Sequence, residues 1–207
     1  GDIVGYGADP CGCIEMVKSL KAVCVLGNHD AAVIGKKDIP GFTSSAAEAV
    51  IWTRDNIGKD EYAYLNSLPV VMEHEDFTVA HGTLHDPWEF QYMRSWYDAM
   101  STFSVLKHKI CFVGHSHIPG VFSCRGGKIS EHSGDTICIE KGARYIINAG
   151  SVGQPRDGDP RSCYCAYYPE RGVVEFCRVE YDIGAARKSI LEKGLPAVLG
   201  DRLLNGR

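Results

Sequence analysis

Apolar positions along the chain come in short runs, and each run stops at glycine, proline or a polar cluster. The spacing predicts a first helix over residues 10–20, with Asp9 as N-cap, Pro10 at the first helical position, and Ile14, Val17 and Leu20 on one side. The β-branched run over 22–26 then reads as a buried strand ended by Gly27. Thr43-Ser44-Ser45 with Glu48 behind it has the form of a capping box and opens a helix over about 45–57. A helix over about 60–67 follows and ends before Pro69. Residues 70–73 and 77–80 read as two strands joined by the turn His74-Glu75-Asp76, and 110–113 as another. Beyond 120 the pattern shifts to short strands at 120–123, 136–140, 144–148, 163–168 and 173–181, the last two joined by the hairpin turn Pro169-Glu170-Arg171-Gly172. Helices over 183–193 and 196–204 close the chain. Strands mixed with helices in this way predict an α/β (α+β sandwich) architecture. No repeat or linker divides the chain, so residues 1–207 read as a single domain.

The polar residues that stop these runs are themselves informative. Three predicted strands end in Gly27-Asn28-His29-Asp30, His81-Gly82 and Gly114-His115-Ser116-His117, and the chain opens with Gly1-Asp2. Ligands of open α/β sheets bind outside the carboxyl ends of the strands. Taken singly, each motif has a plain structural explanation: Asn28 and Asp30 are good turn and capping residues. His115 and His117 differ, because residues two apart in an extended segment point the same way. Together Asp2, Asn28, His81, His115 and His117 form an oxygen and nitrogen donor set that suits manganese, iron, zinc or nickel. A pair of such ions can clamp the attacking and leaving oxygens of a phosphoryl displacement. His29 then stands as the acid that protonates the leaving oxygen, with Asp30 orienting its ring. Arg156 is a candidate for binding substrate phosphate. Arg161 is a weaker one, since Asp157 and Asp159 are there to pair with either arginine.

Composition narrows the classes. A hydrophobic fraction of 44% and a charged fraction of 23% are those of a soluble globular chain. A net charge of −4, without a basic run, argues against a broad nucleic-acid surface. No apolar stretch approaches the ~18 residues of a membrane span, and no signal-peptide pattern opens the chain. The nine cysteines are odd in number and lack paired Cys-x-x-Cys spacing, so they read as reduced, mostly buried residues and point to a cytoplasmic address. Trp88, Phe90, Tyr92, Trp96 and Tyr97 crowd the stretch 83–107, which reads as a packing layer with one or two residues reaching the site.

The four motifs, in this order, resemble the calcineurin-like metallophosphoesterase superfamily. The segment from Asn148 to Arg156 resembles its compact bacterial and archaeal phosphodiesterase branch, often described as diadenosine tetraphosphatase-like. The resemblance implies a four-layer αββα fold and a metal-dependent phosphoric ester hydrolase with two divalent ions. Its substrate is then a phosphorylated small molecule or nucleotide. Asp2 becomes the bridging carboxylate, Asn28, His81 and His115 complete the second metal site, and His117 belongs to the first. That family opens with a strand ending in Asp-x-His, which this sequence does not contain. The departure predicts a missing strand–helix unit of ~30 residues. It leads us to expect a fragment, a proteolysed form or a misplaced start, or a homo-oligomer that covers the open edge. It also predicts one well-bound metal and a poorly bound second. The alternative is a catalytically impaired metal-binding or protein-interaction module.

Overall fold

A computed structural model describes residues 1–207. Seven helices and nine strands form in the order α1 Pro10–Ser19, α2 Asn28–Val33, α3 Ser44–Asn56, α4 Lys59–Ser67, β1 Val71–Glu73, β2 Phe77–Ala80, α5 Trp96–Val105, β3 Ile110–Val113, β4 Gly120–Arg125, β5 Lys128–His132, β6 Thr136–Cys138, β7 Arg144–Asn148, β8 Ser162–Tyr168, β9 Val173–Val179, α6 Ile183–Glu192 and α7 Ala197–Leu203. Asp9 caps α1 as expected, and Thr43 caps α3 without the expected capping-box partner Glu48. Asp9 Oδ1 accepts from Gly12 N at 2.9 Å, and Thr43 Oγ1 accepts from Ala46 N at 3.4 Å, each satisfying one of the free N–H groups of a first turn.

The apolar runs pair into two sheets. Six strands line up as β1-β2-β3-β7-β4-β5, and three antiparallel strands as β6-β9-β8. Within the larger sheet β2, β3 and β7 are parallel neighbours, while β1, β4 and β5 run antiparallel to theirs. Alternation along β3 decides what each face meets. Ile110 points, with Val121, Tyr145 and Ile147, onto Ile137 and Val174 of the smaller sheet. Cys111 and Val113 point the other way, with Phe122 and Ile146, onto Ala99, Phe103 and Leu106 of and just beyond α5. A third cluster joins Leu26, α2, Val50, Leu65 and Phe90, and α6 and α7 lean on Ala49 of α3 through Ile190, Leu199 and Leu203. None of the helices is long and apolar enough to cross a membrane.

Most expected elements form within a few residues of their predicted bounds. Residues 22–26 do not form the expected strand. Only Leu26 N finds a backbone partner outside the preceding helix turn, Pro69 O at 2.7 Å, although Val25 and Leu26 are buried as the hydrophobicity requires. Val23 is 74% exposed. Apolar character places this run, but a strand also needs a neighbour for its ladder, and no strand of residues 1–207 lies beside it. Three elements were not read from the pattern: α2, which begins inside Gly27-Asn28-His29-Asp30; α5, in the aromatic stretch; and β5, which pairs with β4.

Candidate metal centre

Because β2, β3 and β7 are parallel, their carboxyl ends meet at one edge of the sheet. His81 follows β2, the Gly114–His117 loop follows β3, and Asn148 closes β7. Gly114 N donates to His81 O at 2.9 Å, which fixes the first two ends to each other. Asn148 fixes the third. Its Nδ2 donates to Gly114 O at 2.7 Å and to Ser116 Oγ at 2.8 Å, and its Oδ1 accepts from Gly150 N at 3.0 Å, so this buried amide is largely satisfied. The extended His-x-His geometry expected from sequence is not what forms. His115 and His117 have φ of 62° and 60°, the left-handed region that costs a residue with a Cβ of order 1–3 kcal/mol. The Asn148 bonds and sheet packing hold that strain. Asn148→Ala is therefore expected to lower stability by about 1–3 kcal/mol and to weaken metal binding about 10–100-fold, as read by melting and by metal titration.

The other side of the centre comes from the front of the chain. Asp2 has a φ of 55°. Its Oδ1 accepts from His29 N at 2.8 Å, a donor freed by the N-terminus of α2, and its Oδ2 lies 3.0 Å from His81 Nε2. A Cβ at Gly27 would overlap the Asp2 carboxylate and backbone nitrogen, so only glycine lets the two segments approach this closely. Asp30 does not orient the His29 ring. Its Oδ1 accepts from Val4 N at 3.1 Å and its Oδ2 from Gly27 N at 3.0 Å, while His29 Nδ1 packs against Gly5 without a hydrogen-bond partner. One turn of helix carries these two side chains in different directions. Asp30 thus staples the Asp2 segment to the start of α2. Burial and the nearby Asp2 charge push its carboxyl up, more than the two N–H donors pull it down.

Donor atoms of Asp2, His81 and His115 lie within 4.8 Å of one another. Burial alone would raise the Asp2 carboxyl, but the His81, His29 and His115 rings outweigh it and hold Asp2 well below the usual carboxylate range. Burial pushes His115 down to about 3, and burial with the Arg156 charge pushes His117 down to about 4, so both rings are neutral and able to ligate. Asn28 Oδ1 is buried without a hydrogen-bond partner. Gly27 and His29 on either side of Asn28 both touch Asp2, and a buried, unpaired amide oxygen on that segment fits a cation. His117 stands outside the three-residue cluster. Its Nδ1 hydrogen-bonds to Gln154 O at 2.7 Å; donating there leaves Nε2 with its lone pair free, the arrangement of a ligating histidine.

Arg156 sits on the His117 side, its backbone N donating to His117 O at 3.1 Å. Gln154 Oε1 takes two of its guanidinium donors, at 3.1 and 2.8 Å, and the Tyr6 hydroxyl takes a weak third at 3.4 Å. His29 is packed between Tyr6 and Phe42, ring centroids 4.4 and 4.9 Å away, and burial lowers its pKa. Arg161 is not brought in: it pairs with Asp159, at 2.6 Å. The sequence reading did not find Asn148, Tyr6 and Gln154 as parts of the centre. Nor did it single out Tyr92, whose ring stacks on His115 at 4.0 Å and 17°. Only the aromatic density of 83–107 signalled the last.

A mixed α/β fold with oxygen and nitrogen donors at the ends of parallel strands defines the class, that of the metallophosphoesterases. Residues 1–171 match the calcineurin-like phosphoesterase superfamily domain, and the chain belongs to that superfamily. It is 38% identical to the uncharacterized protein MJ0912 of Methanocaldococcus jannaschii, over all of this chain and 85% of that protein. The crystal structure of a metallophosphoesterase from Sphaerobacter thermophilus superposes with a TM-score of 0.86 at 39% identity, over all of this chain and 86% of that one. A hypothetical protein, PH1004, from Pyrococcus horikoshii shares the fold, with a TM-score of 0.77 at 18% identity, over all of this chain and 83% of that one.

Proposed function

We propose that the chain is a metal-dependent phosphoric ester hydrolase acting on a phosphorylated small molecule or nucleotide. The convergence of Asp2, His81 and His115, with an unpaired Asn28 oxygen on the segment whose Gly27 and His29 contact Asp2, carries this reading. These four residues would hold a divalent ion, with manganese, iron, zinc or nickel suited to the donors. Such an ion supplies Lewis acidity, polarising a phosphoryl oxygen and lowering the pKa of water. The protein side chains do the rest. Arg156 has no carboxylate partner, and Gln154 and Tyr6 hold its guanidinium ready for phosphoryl oxygens. His29 Nδ1 is closed off against Gly5, so Nε2 is the atom that passes a proton to the leaving oxygen. His117 stands outside the cluster of Asp2, His81 and His115, so one tight and one weak site are expected. Metal titration of the 207-residue chain checks the stoichiometry, and two tight sites would contradict it.

The test of function is turnover of p-nitrophenyl phosphate and of bis(p-nitrophenyl) phosphate with each metal in turn. Activity lost to a chelator and restored by the ion is expected. The scarcity of donors around His117 favours a second reading, a metal-binding module without turnover. Stoichiometric metal binding with neither ester hydrolysed would establish that instead.

A further inference from the structure

The outer side of the His115 ring carries an arrangement that the proposed hydrolysis does not use. Tyr92 lies flat against His115, and the Arg94 guanidinium carbon sits 4.1 Å from the centroid of the same tyrosine ring. Two groups that close to one ring cannot share a face, so Tyr92 is sandwiched between imidazole and guanidinium. The tyrosine is not loosely placed. Thr83 N, two residues after His81, donates to Gln91 O at 3.2 Å, and a Cβ at Gly82 would strike that same carbonyl. Met93 beyond it is buried, and Arg94 N donates to Asp98 Oδ2 at 3.0 Å. The backbone on both sides of Tyr92 is thus tied down, and the cation is held one ring's thickness beyond a residue of the metal cluster.

What Arg94 lacks is an anion. Arg125, Arg161, Arg171, Arg178 and Arg187 each pair with a carboxylate, and Arg54 and Arg144 with backbone carbonyls; of the arginines without a carboxylate, Arg94 and Arg156 are the two joined to residues of the centre. Two guanidinium groups without a carboxylate, one reached through Tyr92 from His115 and the other joined by its backbone to His117, mark where negative charge is brought in from outside. Arg156 accounts for the reacting phosphoryl group. We propose that Arg94, braced on the Tyr92 ring, is a specificity-determining residue that binds a second anionic group of the substrate. The preferred substrates are then phosphoesters carrying a further phosphate or carboxylate, in place of simple monoesters. This rests on the hydrolase reading for the word substrate, but the anion site itself does not depend on turnover. Stacking on tyrosine leaves the planar fork of Arg94 free at its edge for bidentate contact.

The experiment is a calorimetric titration of the manganese-loaded chain with an alkylphosphonate and with the α,ω-alkanediphosphonate of the same carbon chain, neither of which can be hydrolysed. The wild type is expected to bind the diphosphonate about tenfold more tightly, beyond the statistical factor of its two equivalent ends. Arg94→Ala is expected to bring the ratio close to that factor, and Arg94→Lys to keep part of the preference as a point charge without the fork. Arg94 is exposed, so its replacement leaves the core untouched. A ratio unchanged in Arg94→Ala, or no preference in the wild type, overturns the proposal. Failure of the hydrolase reading looks different: the wild type would hydrolyse neither p-nitrophenyl phosphate nor bis(p-nitrophenyl) phosphate, whatever the diphosphonate ratio.

Discussion

His29→Ala is expected to lower kcat by about 10²–10⁴-fold while the protein keeps its metal. The separation follows from what His29 gives to the centre. Its contact with Asp2 is made by the backbone N–H, which alanine retains. Its ring packs between Tyr6 and Phe42 with Nδ1 against Gly5, and it is not one of the Asp2, His81 and His115 donors that cluster. Loss of the ring removes a proton source and some packing, but no donor of the metal cluster. The deficit should therefore depend on the leaving group. An alkoxide needs a proton, whereas p-nitrophenolate leaves well without one, so an alkyl phosphoester should suffer more than p-nitrophenyl phosphate. Steady-state kinetics on the two esters, with metal analysis of the same preparation, decides the matter. Equal losses on both, or loss of metal with activity, would remove His29 from the role of acid.

Asp2→Asn should do the reverse and empty the centre. The amide oxygen can still accept from His29 N, so the segment stays docked and circular dichroism should be unchanged. The negative charge that sits among three imidazoles is gone, and the amide nitrogen offers no lone pair to an ion. Metal affinity should fall by more than about 100-fold, beyond the range of losses seen when a group that merely supports a ligand is removed. Calorimetric titration with manganese measures it directly, and near-normal affinity would mean that the ion sits elsewhere. Turnover should fall with occupancy, so activity at saturating metal should recover only as far as the ion can be forced in.

Much of this was legible in the chain. Wherever an apolar run finds a strand to pair with, as at 77–80, 110–113 and 144–148, the predicted strand forms. The run at 22–26 shows where that logic stops, since hydrophobicity reports burial and not the presence of a ladder partner. Asp2, His81 and His115, which the structure brings together, were identifiable because glycine beside a polar donor is a local pattern. Asn148 was quoted for its surroundings, yet its task is to bond a loop 34 residues away, which no local pattern contains. Asp30 failed for a related reason: adjacency to His29 in sequence suggested a partnership, but a helical turn sends neighbouring side chains apart. The left-handed backbone of His115 and His117 was equally invisible, because it comes from hydrogen bonds made across the sheet.

The parallel run of β2, β3 and β7 has a bearing on how the protein acquires its centre. Parallel neighbours cannot be joined by tight turns, and here each pairing spans a long excursion of chain before the next donor arrives. Asp2, His81 and His115 are far apart in sequence, and the two histidines meet only once those excursions have closed. A peptide cut around 27–30 or 114–117 has imidazoles but no geometry. The appearance of a native-like ion site during refolding would thus mark the last long-range step of the process, making the metal a reporter of completed topology and not a nucleus around which the chain collapses.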